Sequence, residues 1–129
     1  MHKQPLHFEF DRYQYESQLD DLKSEDKNVL CRMLFDLLLI HEFEHALLRL
    51  QKDGCVWGPL HTSVGHEAIG AGVAKAMRRT DKFIGPHRPH HIFVAKCLQW
   101  TVDESWNPLT TPLPESGKEA VRRSMAEIM

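Results

Sequence analysis

From Glu25 to Lys52 apolar residues return at steps of three and four, at Leu30, Met33, Leu34, Leu37, Ile40, Leu47 and Leu48. That is the period of an α-helix with one apolar face, and it predicts a single long amphipathic helix over this stretch. Ser24 ahead of Glu25 and Asp26 is the expected N-cap, because acids in the first turn oppose the positive end of the helix dipole. Gly54 suits the left-handed residue just past the C-terminus, and Gly58-Pro59 makes a loop.

Thr62 and Ser63 offer a second N-cap. Between Val64 and Arg79 no proline intervenes and small residues recur at Gly65, Ala68, Gly70, Ala71, Gly72, Ala74 and Ala76, which predicts a second helix. Each glycine lowers helix propensity by about 1 kcal/mol relative to alanine, so their presence implies that another backbone or a ligand approaches closely. Lys82-Phe83-Ile84, ended by Gly85-Pro86, reads as a short buried strand. His90 to Gln99 reads as a third helix, Trp100 to Pro114 as an irregular connection, and Pro114 to Met129 as a fourth helix with proline near its start. The first 23 residues show no clear period and read as an irregular leader. The expected class is mostly α with one or two short strands.

The 129 residues, 42% hydrophobic and 26% charged, suffice for one core without disulfides or a structural metal. The longest strongly apolar run, Leu37 to Ile40, is far short of the roughly 20 residues of a membrane span, so a soluble chain is expected. Met1 to Phe10 has neither an apolar signal core nor an Arg/Ser-rich, acid-poor character, and a cytoplasmic product is expected. Cys31, Cys55 and Cys97 contain no CxxC pair and read as small hydrophobes. A net charge of -2 argues against a nucleic-acid binder, yet the charge is uneven. Seven acids face three bases from Met1 to Asp26, a balance of -4, while six bases face Asp81 alone from Lys75 to Lys96, a balance of +5.

Three constellations carry candidate chemistry. His41-Glu42-Phe43-Glu44-His45 matches HExxH, in which helical histidines at i and i+4 hold Zn²⁺ and the glutamate is general base. The bland alternative is a polar insertion at a packed interface, with His41 and Glu44 in line with Leu37 and Leu48. His87-Arg88-Pro89-His90-His91 follows a Gly-Pro turn and precedes a helix, a position where a guanidinium and free helix N–H groups both favour an anion; the alternative is a solvated surface cluster. His61, ahead of the small-residue helix, is equally a structural cap or a site residue.

Together these pieces resemble the α chain of the thiamine-diphosphate-dependent 2-oxo acid dehydrogenases, the decarboxylating component of the pyruvate and branched-chain complexes. Phe43-Glu44 and Leu50-Gln51-Lys52-Asp53-Gly54 look like its first helix and exit. Gly58-Pro59-Leu60-His61-Thr62-Ser63-Val64-Gly65-His66-Glu67-Ala68 resembles its "H-x-S-x-G-Q-E-A" segment, and Thr80-Asp81 to Lys96 its "D … Y/H-R-x-H … LAK" segment. Asn107-Pro108-Leu109 to Pro112-Leu113-Pro114 and Arg122 to Met129 resemble members whose α and β chains are fused. His66 stands where Gln is usual, His87 where many members have Tyr, and Pro89 where Gly or Ala is common.

The resemblance implies an N-terminal fragment of a thiamine-diphosphate-binding α/β fold, with residues 24–129 a partial cofactor domain that stops before the Mg-diphosphate motif. It implies that Arg88 and His87 bind the cofactor diphosphate, that His61 and His90 line the catalytic site, and that this chain supplies no metal ligand. The complete enzyme would carry thiamine diphosphate with Mg²⁺, decarboxylate a 2-oxo acid and pass the acyl group to a lipoyl group. Its implied partners are a β chain or β region and the lipoyl acyltransferase, in an oligomer. The fragment alone is expected to be inactive and to expose apolar area on its first and small-residue helices. A non-catalytic helical interaction module and, more remotely, the HExxH zinc hydrolase are the alternatives.

Overall fold

The computed structural model describes Asp11, Tyr13, Gln14 and residues 16–129, so most of the leader expected over residues 1–23 lies outside the described residues. Five helices follow one another: α1 (Leu19–Ser24), α2 (Lys27–Lys52), α3 (Glu67–Ala76), α4 (His90–Thr101) and α5 (Glu115–Ala126). The chain is thus mostly α, as the periodicities predict, and no strand occurs among the described residues.

The long helix starts two residues later than Glu25. Asp26, not Ser24, is its cap, accepting from the backbone N–H groups of Asn28 at 2.7 Å and Val29 at 3.2 Å. Ser24 instead closes α1, where its hydroxyl donates to the Asp21 carbonyl. A carboxylate two residues nearer the helix reaches those orphan donors, which the Ser24 hydroxyl does not. At the other end Gly54 takes φ +77°, and Cys55 N donates to the Leu50 carbonyl at 2.8 Å, the left-handed stop expected there.

The expected strand at Lys82-Phe83-Ile84 is an extended loop, with the Ile84 side chain fully exposed. A strand needs a neighbour to receive its N–H and C=O groups, and among the described residues none lies beside it. The Thr62/Ser63 cap is also displaced. α3 begins at Glu67 after a turn through Gly65 (φ +90°), because the Ser63 polar groups are engaged elsewhere.

α3 packs on both α2 and α4, α5 packs on α4, and α2 touches α4 less. Ile40, Phe43 and Leu47 of α2 meet Ala74 of α3 and Val94 and Ala95 of α4, with Val121 and Met125 of α5 against them. Leu98, Val102 and Trp106 form a second cluster with Phe35. The Trp106 ring meets Phe35 edge-on at 5.0 Å and donates its indole N–H to the Pro112 carbonyl at 3.1 Å, which satisfies both its apolar body and its polar edge. Arg32 donates to the carbonyls of Asp103 and Glu104, tying α2 to the turn after α4.

The small-residue stretch has its expected cause at one position. A Cβ on Gly70 would lie 2.8 Å from the carbonyl carbon and oxygen of His91, so α3 and α4 approach at backbone distance there. Gly72 faces open space. Leu34 and Leu38 on α2, and Ile69 on α3, are more than half exposed, in line with the apolar faces anticipated on those two helices.

Candidate anion site at the start of α4

The four candidate residues fall on two segments that meet. His61 lies in the loop between α2 and α3, His87 and Arg88 in the loop before α4, and His90 is the first residue of α4. Ser63 joins the segments, its hydroxyl donating to the Arg88 carbonyl at 3.2 Å. The rings of His61 and His87 then stand edge to face at 5.0 Å, and Arg88 Nη2 reaches His61 Nδ1 at 3.3 Å. A guanidinium only donates, so neutral His61 accepts on Nδ1 and carries its own proton on Nε2.

His61, His87 and Arg88 are all solvent-exposed, and their polar atoms open outward at a helix terminus. That terminus is uncapped: Pro89 is the N-cap residue and no side chain bonds the first-turn N–H groups of α4. Free amides, a guanidinium and two imidazoles, with no carboxylate among the described residues bonded to Arg88, form a donor set suited to an anion. Three other bases of the stretch are bonded within the fold. Arg78 pairs with Asp81 at 3.0 Å, Arg79 donates to the Trp100 carbonyl, and Lys96 Nζ donates to the Arg78 and Arg79 carbonyls. Three of the six bases are thus engaged near the C-terminal ends of α3 and α4, and Arg88 stands at the histidines.

Below the exposed donors lies a residue that the spacing of the sequence treats as part of HEFEH. Glu44 is fully buried, and its Oε2 accepts from Ser63 N at 3.0 Å. His90 Nδ1 stands 3.2 Å from Glu44 Oε1 and 3.5 Å from Oε2. Glu44 therefore braces both segments that carry the candidate residues. The signal was an acid between Phe43 and Leu47 on the apolar face, where a charge is tolerated only if it is bonded.

The other members of HEFEH are spread apart. His41 Nδ1 meets Glu67 Oε1 at 3.1 Å, and Glu42 is exposed. Burial acts to raise the Glu67 pKa, but hydrogen bonds from the backbone N–H groups of Glu67 and Gly65 and from His41 outweigh it and hold the carboxylate below its ordinary value. Among the described residues no three His, Cys, Asp or Glu side chains are arranged to hold a metal ion. The polar insertion at a packed interface is what His41 and Glu44 form.

His91, next to the site, is only 7% exposed and packs edge to face on His66 at 5.4 Å. Burial, reinforced by the neighbouring His66 and His90, pushes its pKa below 6.5, and its Nδ1 has no partner. A cavity of about 1090 Å³ lies elsewhere: Phe83, Phe93, Cys97 and Trp100 line it, and none of the four candidates does.

Fold and site together define a helical chain with an anion-ready cluster where two loops meet the start of a helix. The chain is similar to the pyruvate dehydrogenase E1 component subunit alpha, mitochondrial, of Chaetomium thermophilum, at 38% identity over 64 residues, 50% of this chain and 16% of that protein. It is similar also to the protein of the same name from Saccharomyces cerevisiae, at 37% identity over 71 residues, 54% of this chain and 17% of that one. The matched stretch spans about a sixth of either relative's length. Both relatives are mitochondrial by name, in contrast with the cytoplasmic product expected from the first ten residues. No protein-family model matches the chain, and no solved structure does.

Proposed function

We propose that this chain is a partial thiamine-diphosphate-binding α region of a 2-oxo acid dehydrogenase, in which Arg88 and His87 hold the cofactor diphosphate and His61 and His90 line the reacting end. The observation that carries the reading is the convergence of Arg88, His61 and His87 at the uncapped start of α4. The names of the two relatives favour pyruvate over a branched-chain 2-oxo acid. A bound thiamine diphosphate would supply the carbanion chemistry of decarboxylation. The chain's own part is to anchor the anion through N–H donors, to orient His61 through Arg88 and to manage protons at the imidazoles.

The donor set fits a diphosphate but not its metal. Much of a diphosphate's charge is neutralised by Mg²⁺, and among the described residues no three His, Cys, Asp or Glu side chains are arranged to hold one. The chain alone therefore binds thiamine diphosphate weakly and turns nothing over. A β chain or β region of the same enzyme would complete the site, and the lipoyl acyltransferase would receive the acyl group.

Titration of the ¹⁵N-labelled chain with inorganic pyrophosphate and with thiamine diphosphate plus Mg²⁺ tests this. Shift changes confined to His61, His87, Arg88 and the first-turn amides of α4, at millimolar ligand, are expected. Changes centred elsewhere, or none, would overturn the anion site; calorimetric affinity in the micromolar range would overturn the incompleteness.

A second reading, a non-catalytic helical interaction module, is favoured by the exposure of Leu34, Leu38 and Ile69 on adjoining helices. It expects self-association in sedimentation runs and no response to pyrophosphate.

A further inference from the structure

Glu44 sits in an unusual position for a carboxylate: fully buried on α2, 3.0 Å from one backbone N–H, with Oε1 lacking any aligned hydrogen bond. His90 Nδ1 stands 3.2 Å from Oε1. A carboxylate only accepts, so the imidazole nitrogen facing it is the one that carries the proton. His90 is then held with Nδ1–H toward Glu44. Its other nitrogen, Nε2, hydrogen-bonds nothing among the described residues, and it is the atom left to take up a proton.

We propose that Glu44 is a positioning residue for proton transfer: it fixes the His90 tautomer, so that Nε2 accepts a proton and the imidazolium formed is opposed by the buried carboxylate. The other groups around the pair make this assignment selective. His91 is crowded by His66 and His90 and its burial disfavours the charged form, and His61 Nδ1 is already occupied by Arg88. Of the histidines at the start of α4, His90 alone pairs a committed nitrogen with a carboxylate. A purely structural Glu44 would need only its bond to Ser63 N. The inference rests on the reading of this cluster as a reaction site, but the tautomer is a property of the chain itself.

Long-range ¹H–¹⁵N spectra of the full chain, labelled at histidine, read the tautomer directly. In the unsubstituted chain His90 is expected as the Nδ1–H form, and in Glu44→Leu it is expected to revert to the Nε2–H form that free imidazole favours. An Nε2–H or evenly mixed His90 in the unsubstituted chain overturns the inference, as does an unchanged tautomer in folded Glu44→Leu. If Glu44→Leu does not fold, the spectrum of the unsubstituted chain decides. Pyrophosphate titration of the same sample separates the two ideas: failure to bind overturns the anion site with the tautomer intact, whereas binding with an Nε2–H His90 overturns only the role of Glu44.

Discussion

Gly70 faces the peptide carbonyl of His91 so closely that an added Cβ would stand 2.8 Å from it. Because the obstacle is backbone, it yields only if α3 or α4 moves. Gly70→Ala gains about 1 kcal/mol of helix propensity but incurs an overpacking cost of about 1 to 3 kcal/mol. A net loss in urea unfolding is expected. Gly72→Ala, where the space is open, is expected to gain up to about 1 kcal/mol, and opposite signs at two glycines of one helix check the close approach.

The pH dependence of stability follows from half-buried Asp36 and buried His91, whose effects are of opposite sign. Burial lifts the Asp36 carboxyl from 3.8 to about 6, with Arg32 and Lys75 only partly offsetting it. Its folded pKa exceeds its unfolded one, so the fold is penalised above about pH 6 and relieved as pH falls from about 6 toward 3.8. His91 does the reverse: its folded pKa lies below 6.5, so stability is lost as pH falls through 6.5 and the unfolded chain takes up the proton first. Asp36→Asn is expected to stabilise by on the order of 1 kcal/mol at pH 8 and to leave a stability that only declines below pH 6.5. Thermal unfolding from pH 8 to 5 would show it, and an unchanged profile would refute the assignment to Asp36.

What the sequence disclosed was whatever local chemistry decides. Period-3.6 patterning and the stop at Gly54 found α2, and small residues found α3, because helix formation and termination depend on neighbours a few positions away. The false strand at Lys82-Phe83-Ile84 shows the opposite case. Three apolar-flanked residues cannot report whether a partner strand exists, and here none does among the described residues. Arg88 and its neighbouring histidines were legible as a candidate anion cluster from their place before a helix, but the separate roles of the four residues came only from the resemblance to a known family. Their assembly depends on the contact of Ser63 with Arg88, 25 positions apart, and on Glu44, 46 positions from His90. An acid on an apolar face announces burial, but not which loop it braces.

The cap of α2 is a local test of competition between two candidates two residues apart. Asp26→Ala removes the acceptor for Asn28 and Val29 and is expected to cost about 1 kcal/mol. Ser24→Ala, which affects only the end of the exposed α1, is expected to change stability by less than about 0.5 kcal/mol. Denaturant midpoints of the two variants compare the caps directly.

Arg88 joins the fold through its backbone and the site through its side chain, which makes the two separable. Its carbonyl accepts from Ser63, a bond that substitution does not touch, while among the described residues its guanidinium hydrogen-bonds the exposed His61 ring alone. Arg88→Gln is therefore expected to unfold within about 0.5 kcal/mol of the unsubstituted chain. Loss of a charged donor to an anion costs about 1.5 to 3 kcal/mol, so pyrophosphate affinity is expected to fall about tenfold or more. Arg88→Lys keeps the charge but not the planar fork, and is expected to fall in between. Raising the salt concentration should weaken the unsubstituted chain's binding more than that of Arg88→Gln, since screening acts on the charge that the variant lacks. Equal affinity in Arg88→Gln would place the anion site elsewhere on the molecule.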